Sequence, residues 1–235
     1  MSVPLGPVAT LRLIEKEHVL DNIWAFRFAP SEPLVWTAGQ YVSVELPHDN
    51  PDGKGTKRWF TISSAPYEKI VQITTRVTDS SFKQALAKLR IGDELQLLDK
   101  PHGYFVWQQS DRPLVFVAGG IGVTPFRSML KQRMHDRLPL TALLLYSSRT
   151  PEVPFKDELQ QWMKADPNLK VHYIVGAPLT AARIAEIVPG LHESQVYLSG
   201  PQPLTAALSD ALLEHGLRDA QLNRELFPAY TKNNY

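Results

Sequence analysis

The residue periodicity changes once along this chain, and the change separates two stretches that must fold differently. From residue 8 to about 107, segments such as VATLRLIE, AGQYVSVELP and IVQITTRV alternate apolar and polar residues between Pro, Gly and Asp signals. Alternation with period two belongs to antiparallel strands with one buried face. One interruption, SFKQALAKLRI, sets Phe82, Leu86 and Leu89 at helical spacing before Gly92 and Asp93 return the chain to DELQLLD. A single helix capping a small barrel is predicted there.

After Arg112 the rhythm becomes short apolar runs, PLVFVA, LTALLLY, KVHYIV and QVYLSG, each followed by a segment with helical spacing. That succession predicts a doubly wound parallel sheet with crossover helices. Phe126, Met129, Leu130 and Met134 share one helical face, with Arg127, Lys131 and Arg133 elsewhere; Phe155, Leu159, Trp162 and Met163 form the next apolar stripe. The expected division is an antiparallel β-barrel domain over 1–110 and an α/β domain over 111–235, joined by the polar QQSDR at 108–112. Ligands of open parallel sheets bind beyond the carboxyl ends of the strands, which directs attention to the loops starting at Gly119, Ser147 and Ser199.

Composition removes several function classes. Over 235 residues the formal net charge is +1, with no basic stripe to neutralise a nucleic-acid backbone. No span approaches transmembrane length, and the N-terminus MSVPLGPVATLRLIEKEH has neither the basic start nor the apolar stretch of a signal peptide, so a cytoplasmic protein is expected. The absence of cysteine excludes disulfides, thiolate metal sites and cysteine-ligated clusters from these residues, and the seven histidines form no HExxH-type pattern. No metal is expected, and redox chemistry here needs an organic cofactor.

Between the strand PLVFVA and its helix stands GGIGVTP. Gly119, Gly120 and Gly122 let the backbone approach an anion, Thr124 can cap the helix, and Pro125 suits its first turn. The motif departs from GxGxxG because Pro125 replaces the third glycine, and a tight turn without ligand is the competing reading. At the end of LLLYSSRT, where an acidic ribose ligand often stands, are Ser148 and Arg149; a cation there favours a 2′-phosphate, hence NADPH, unless it is merely solvated, in which case NADH serves as well. In the first half, KRWFTISSAP gathers a cation, two aromatic rings and hydroxyls. Phe60 can cover an isoalloxazine face, Arg58 can pair with a pyrophosphate, and Thr61 can offer a hydrogen bond near the flavin N5. Composition alone makes the same segment an ordinary barrel strand.

These motifs stand in an order that resembles the ferredoxin–NADP⁺ reductase superfamily over nearly the whole chain. Arg58-Trp59-Phe60-Thr61 looks like the family's RxYS flavin motif, GGIGVTP like its nucleotide loop, Ser199-Gly200-Pro201 like its CGP loop, and ELFPAY like its ending. The resemblance implies a flavin-binding β-barrel, a nucleotide-binding α/β domain and hydride transfer where the two meet, with FAD as the flavin. It places Thr75, Arg76, Ser80 and Ser81 near the ribityl and phosphate groups, Gly200 and Pro201 at the nucleotide, and Thr61, Ser199 and Phe227 at the reacting centre. Phe227 and the terminal Tyr235 compete for the flavin face opposite the barrel residue, and Glu225 stays outside the catalytic list. Ser199 replaces the family's cysteine and Phe60 its tyrosine. Strand alternation points Thr61 away from the face shared by Arg58 and Phe60, so its contact requires a local bend.

The implied activity carries electrons from NADPH, or NADH, through bound FAD to a separate acceptor: a ferredoxin, a flavodoxin, an oxygenase component or a small molecule. Two other readings stay open, a flavin-free nicotinamide dehydrogenase and a non-catalytic flavin-binding interaction or sensory subunit.

Overall fold

In the computed structural model, which describes residues 7–225, the chain forms two compact units. One comprises residues 7–106 with Arg127–Gln132; the other comprises Trp107–Phe126 with residues 133–225.

The first unit is built on six antiparallel strands: β1 (Ala9–Leu20), β2 (Ile23–Pro30), β3 (Tyr41–Glu45), β4 (Lys57–Thr61), β5 (Val71–Arg76) and β6 (Glu94–Leu97), ordered β4-β3-β6-β1-β2-β5. Alternation does what the sequence implies in β1, where Ala9, Leu11 and Leu13 are buried and Arg12 is exposed. Ile14 continues that alternation, pointing outward and 41% exposed, and the pairing with β2 then shifts at a bulge between Leu13 and Glu15. The two ends of the sheet meet just beyond β4, where the Ser63 N–H donates to the Gln72 carbonyl of β5 at 2.8 Å, so the sheet curls into a barrel. Helix α1 (Ser81–Lys88) closes it, burying Phe82 and Leu86 completely in a core that also holds Leu11, Phe28, Val44 and Ile73. Each of those two side chains contributes about 1.5–3 kcal/mol by leaving water.

Arg127, expected on the polar face of its helix, is only 3% exposed and donates Nη1 to the Ser63 carbonyl at 2.5 Å. A buried guanidinium needs such a partner, and helical periodicity has no means of reporting one.

In the second unit five parallel strands, β7 (Leu114–Gly119), β8 (Ala142–Ser148), β9 (Leu169–Val175), β10 (Gln195–Ser199) and β11 (Leu222–Arg224), are ordered β11-β10-β7-β8-β9. The helices are α2 (Thr124–His135), α3 (Lys156–Ala165), α4 (Ala181–Ile187) and α5 (Gln202–Glu214). The chain runs outward from β7 through β8 to β9, then returns to the other side of β7 with β10 and β11. This is the doubly wound order, and its direction reverses between β7 and β10. Ligand sites of such sheets lie at that reversal, beyond Gly119 and Ser199. No helix among the described residues is long and apolar enough to cross a membrane.

Candidate functional site

At the reversal point two loops meet backbone against backbone. Gly119 ends β7, and Gly120–Val123 form a 3₁₀ turn that runs into α2. A Cβ on Gly122 would stand 2.4 Å from the Ser199 carbonyl oxygen and 2.5 Å from the Gly200 nitrogen, and one on Gly119 would stand 2.5 Å from Leu204 Cδ2. Gly122 is therefore required by the neighbouring loop, whatever it offers a ligand, whereas the contact at Gly119 is with the end of a leucine side chain that can shift. Gly120 differs: its φ of +54° favours glycine, yet the space around it is open. Of the three glycines it is the one beside which a phosphate has room.

Thr124 is helical itself (φ −56°, ψ −46°) and donates its hydroxyl back to the Ile121 carbonyl at 3.1 Å, so it does not cap the helix. The 3₁₀ turn begins the helical path four residues earlier and takes over that role. Pro125 keeps its predicted place in the first turn of α2.

Ser199 is 1% exposed and donates its hydroxyl to Glu225 Oε2 at 2.5 Å, while the Glu225 N–H reaches the Leu198 carbonyl at 3.0 Å. Glu225, omitted from the predicted catalytic set, is thus the residue joined to Ser199. Gly200 follows with its Cα beside Gly119, and Pro201 precedes the first residue of α5. Ser148 ends β8, its hydroxyl donating to the Thr150 carbonyl and its carbonyl accepting from the Gly176 N–H at 2.9 Å; Arg149 is exposed immediately beyond the strand. Phe227 and Tyr235 lie outside the described residues.

The first unit carries a second constellation. Arg58 of β4 is 3% exposed, and its Nη1 donates to the carbonyls of Lys54 (2.9 Å), Gly55 (2.9 Å) and Lys57 (2.7 Å). Its Nη2 reaches Asp52 Oδ1 at 2.9 Å and Oδ2 at 3.2 Å, and Ser80 Oγ at 3.3 Å. Ser80 directly precedes α1, and the N–H of Ser81, the first residue of that helix, also donates to Asp52 Oδ2 at 3.1 Å. Ser81 Oγ accepts from the Asp52 N–H at 2.8 Å and lies 3.0 Å from His48 Nε2. Burial works against ionising Asp52, but the N–H groups of Lys54 and Ser81 and the charge of Arg58 outweigh it and hold the carboxyl at about 2. Further along α1, Lys83 is lowered to about 8, first by burial and then by the charges of Arg58, Lys54 and Arg76.

Arg58, Ser80 and Ser81 are therefore brought together as expected, whereas nothing in the sequence pattern singles out Asp52 or Lys83. Phe60 is 8% exposed within the barrel core, its ring 5.8 Å from Phe82. It offers no open ring face, which corrects its assignment as the cover of an isoalloxazine. β4 pairs with β3 without a register shift from Lys57 to Thr61, so the bend needed to bring Thr61 onto the face of Arg58 and Phe60 is absent. Thr75 is 5% exposed opposite Trp24 of β2, and the exposed Arg76 donates Nη1 to Asn22 Oδ1 at 2.5 Å. No group of three His, Asp or Glu that could hold a metal occurs among the described residues.

Residues 116–210 match the family model described as "Oxidoreductase NAD-binding domain". The chain is 32% identical over 206 residues to the carnitine monooxygenase reductase subunit of Escherichia coli, covering 84% of this chain and 62% of that protein. Among solved structures it superposes on the flavohem-like FAD/NAD binding domain of nitric oxide dioxygenase from Vibrio cholerae with a TM-score of 0.80 at 19% identity, covering 94% of this chain and 99% of that one. A ferredoxin NADP⁺ reductase from Neisseria gonorrhoeae with bound FAD and NADP gives a TM-score of 0.76 at 20% identity, covering 92% and 97%. The chain spans 58–62% of the length of the first three curated relatives it matches.

Proposed function

We propose that the chain is a member of the ferredoxin–NADP⁺ reductase superfamily, whose fold it shares, and that it is an NAD(P)H-dependent flavoprotein reductase that delivers electrons to a separate acceptor protein. The observation that carries this reading is the interlock of Gly119–Gly122 with Ser199–Gly200 at the reversal point of a parallel sheet, which builds a dinucleotide site from two loops.

In the second unit, the open space at Gly120 admits the dinucleotide phosphates, and the exposed Arg149 takes the 2′-phosphate of NADPH. Ser199 and Glu225, joined by their hydrogen bond, fix the wall against which the nicotinamide lies. In the first unit, Arg58, the Ser80 hydroxyl and the Ser81 N–H are a donor set suited to a diphosphate, and Lys83 adds charge beside them; they already hold the Asp52 carboxylate, so the cradle fits an anion. Bound FAD would supply acceptance of a hydride and release of its electrons one at a time. The protein contributes alignment and exclusion of water.

The reductase subunit of carnitine monooxygenase among the relatives supports an oxygenase component as the acceptor. Ferredoxin or flavodoxin are the further candidates.

The test is the visible spectrum of the purified protein, recorded before and after anaerobic addition of NADPH and, separately, NADH. A flavin band bleached faster by NADPH is expected. A band that neither nucleotide bleaches would replace the reductase reading with a non-catalytic flavoprotein. A colourless protein that refuses added FAD would end the flavin reading altogether.

A further inference from the structure

The cradle at the start of α1 contains an anion that belongs to the chain. Asp52 Oδ1 accepts from the Lys54 N–H at 2.9 Å and from Arg58 Nη2 at 2.9 Å. Oδ2 accepts from Arg58 Nη2 (3.2 Å), Ser80 Oγ (3.2 Å) and the Ser81 N–H (3.1 Å). A guanidinium, a hydroxyl and the first N–H of a helix are the donors that phosphate groups select. Here all three are turned on one carboxylate.

Donors and acceptor differ in their freedom. Arg58 is 3% exposed, and its other terminal nitrogen is tied to three backbone carbonyls, so the guanidinium cannot swing away. The Asp52 side chain is 32% exposed and comes from a surface turn flanked by two left-handed residues, Asn50 (φ 49°) and Gly55 (φ 66°). Rotation of the aspartate alone withdraws the carboxylate and leaves the donors in place.

The charges also exceed their occupant. Lys83, close to Arg58, Lys54 and Arg76, is held well below the usual lysine range by burial and by those cations. One carboxylate leaves that repulsion standing, whereas a diphosphate ester brings two negative charges.

Resting on the flavin reading of the first unit, we propose that Asp52 is an intramolecular competitor for the flavin diphosphate: it fills the cradle between Arg58, Ser80 and Ser81 in the empty protein and is displaced by the incoming diphosphate. Flavin affinity is then a difference between two sets of bonds, those the cradle forms with the diphosphate and those it gives up with the carboxylate. Asp52 keeps the buried Arg58 charge paired in the empty protein and makes flavin capture reversible.

The experiment is calorimetric titration of the full chain, wild type, Asp52→Asn and Asp52→Ser, with inorganic pyrophosphate, FAD and riboflavin, after thermal melts have established that each variant is folded. Without its competitor, the cradle should bind pyrophosphate and FAD about tenfold more tightly or better, while riboflavin, which lacks phosphate, should not change between variants. The ligand-free variants should melt lower than wild type, and saturating pyrophosphate should raise their melting temperature by more than it raises that of wild type. Unchanged or weaker binding of both phosphate ligands by the variants would overturn the proposal and make Asp52 a positioning residue for Arg58.

Tighter FAD binding that matched an equal gain for riboflavin would overturn it as well. Tighter pyrophosphate binding with no FAD binding by any form would uphold the competitor and remove the flavin reading. FAD binding equal in all three forms would do the reverse. In wild type, the ¹³C signal of the Asp52 carboxyl should move on saturation with pyrophosphate, and a stationary signal would count against displacement even if neither variant folds.

Discussion

Ser199 donates its hydroxyl to Glu225 at 2.5 Å, joining the carboxyl end of β10 to the residue that follows β11. Ser199 is 1% exposed, so water cannot readily replace the bond. A hydrogen bond to a carboxylate typically contributes about 1.5–3 kcal/mol. Ser199→Ala should lower the unfolding free energy by about 1.5 kcal/mol in urea titrations. Flavin content should be retained, and stopped-flow reduction by NADPH should slow about tenfold. Unaltered stability together with an unaltered rate would remove the pair from both roles.

Gly122→Ala and Gly120→Ala should separate packing from conformation. At Gly122 the new methyl meets backbone at 2.4–2.5 Å, which cannot be relieved by a side-chain rotation. A loss of about 3 kcal/mol is expected there. At Gly120 only the left-handed φ of +54° is at issue, with about 1–2 kcal/mol at stake. Denaturant midpoints of the two variants should fall in that order; equal midpoints would mean that the loops part more easily than their interlock implies.

Arg149→Ala should change nucleotide preference and little else. The side chain is exposed, so stability should stay within about 0.5 kcal/mol of wild type. Loss of a charge-assisted contact to a 2′-phosphate should raise the KM for NADPH about tenfold or more and leave that for NADH unmoved. Parallel changes for the two nucleotides would place the 2′-phosphate elsewhere.

Lys83 gives the ligand-free protein a specific pH dependence. Its value falls from 10.5 to about 8 on folding, so between those limits the unfolded chain binds more protons than the folded one, and stability rises with pH across that window. Lys83→Met removes the charge that the folded state disfavours. The variant should be the more stable at pH 7, and its urea midpoint should lack the rise that wild type shows between about pH 8 and 10.5. It should also bind pyrophosphate less tightly, since a bound anion favours the charged lysine. Matching pH profiles would show that Lys83 is not confined as the structure has it.

Strongly periodic elements are legible in the residues alone, and the local exceptions are not. Four strands of the parallel sheet are apolar runs followed by amphipathic helices, and each stands where its pattern puts it. β11 is not legible because Leu222–Arg224 has three residues and no alternation; only its pairing with β10 makes it a strand. Arg58 can be chosen from the sequence as an anion ligand, but Asp52 cannot. In DNPDGKG an aspartate reads as a turn former, and its meeting with the start of α1 is a tertiary event. Alternation puts Arg58 and Phe60 on one face correctly, yet cannot say whether that face turns toward the core. Phe82 decides it, with its ring 5.8 Å from that of Phe60 and 5.2 Å from the Arg58 guanidinium carbon.

The interlock of Gly122 with Gly200 also bears on the order in which the second unit is made. During synthesis β7, β8 and β9 emerge as a three-stranded sheet with one side of β7 unpaired, because its other neighbour, β10, lies late in the chain. The glycine turn after β7 then has no opposing loop to fix it. A growing chain, or one cut short before residue 195, can carry the whole GGIGVTP motif and still possess only one wall of the proposed nucleotide site. Closure of that site waits on a contact between distant parts of the sequence, a slow kind of contact to form, so nucleotide binding should be among the last properties the nascent protein acquires.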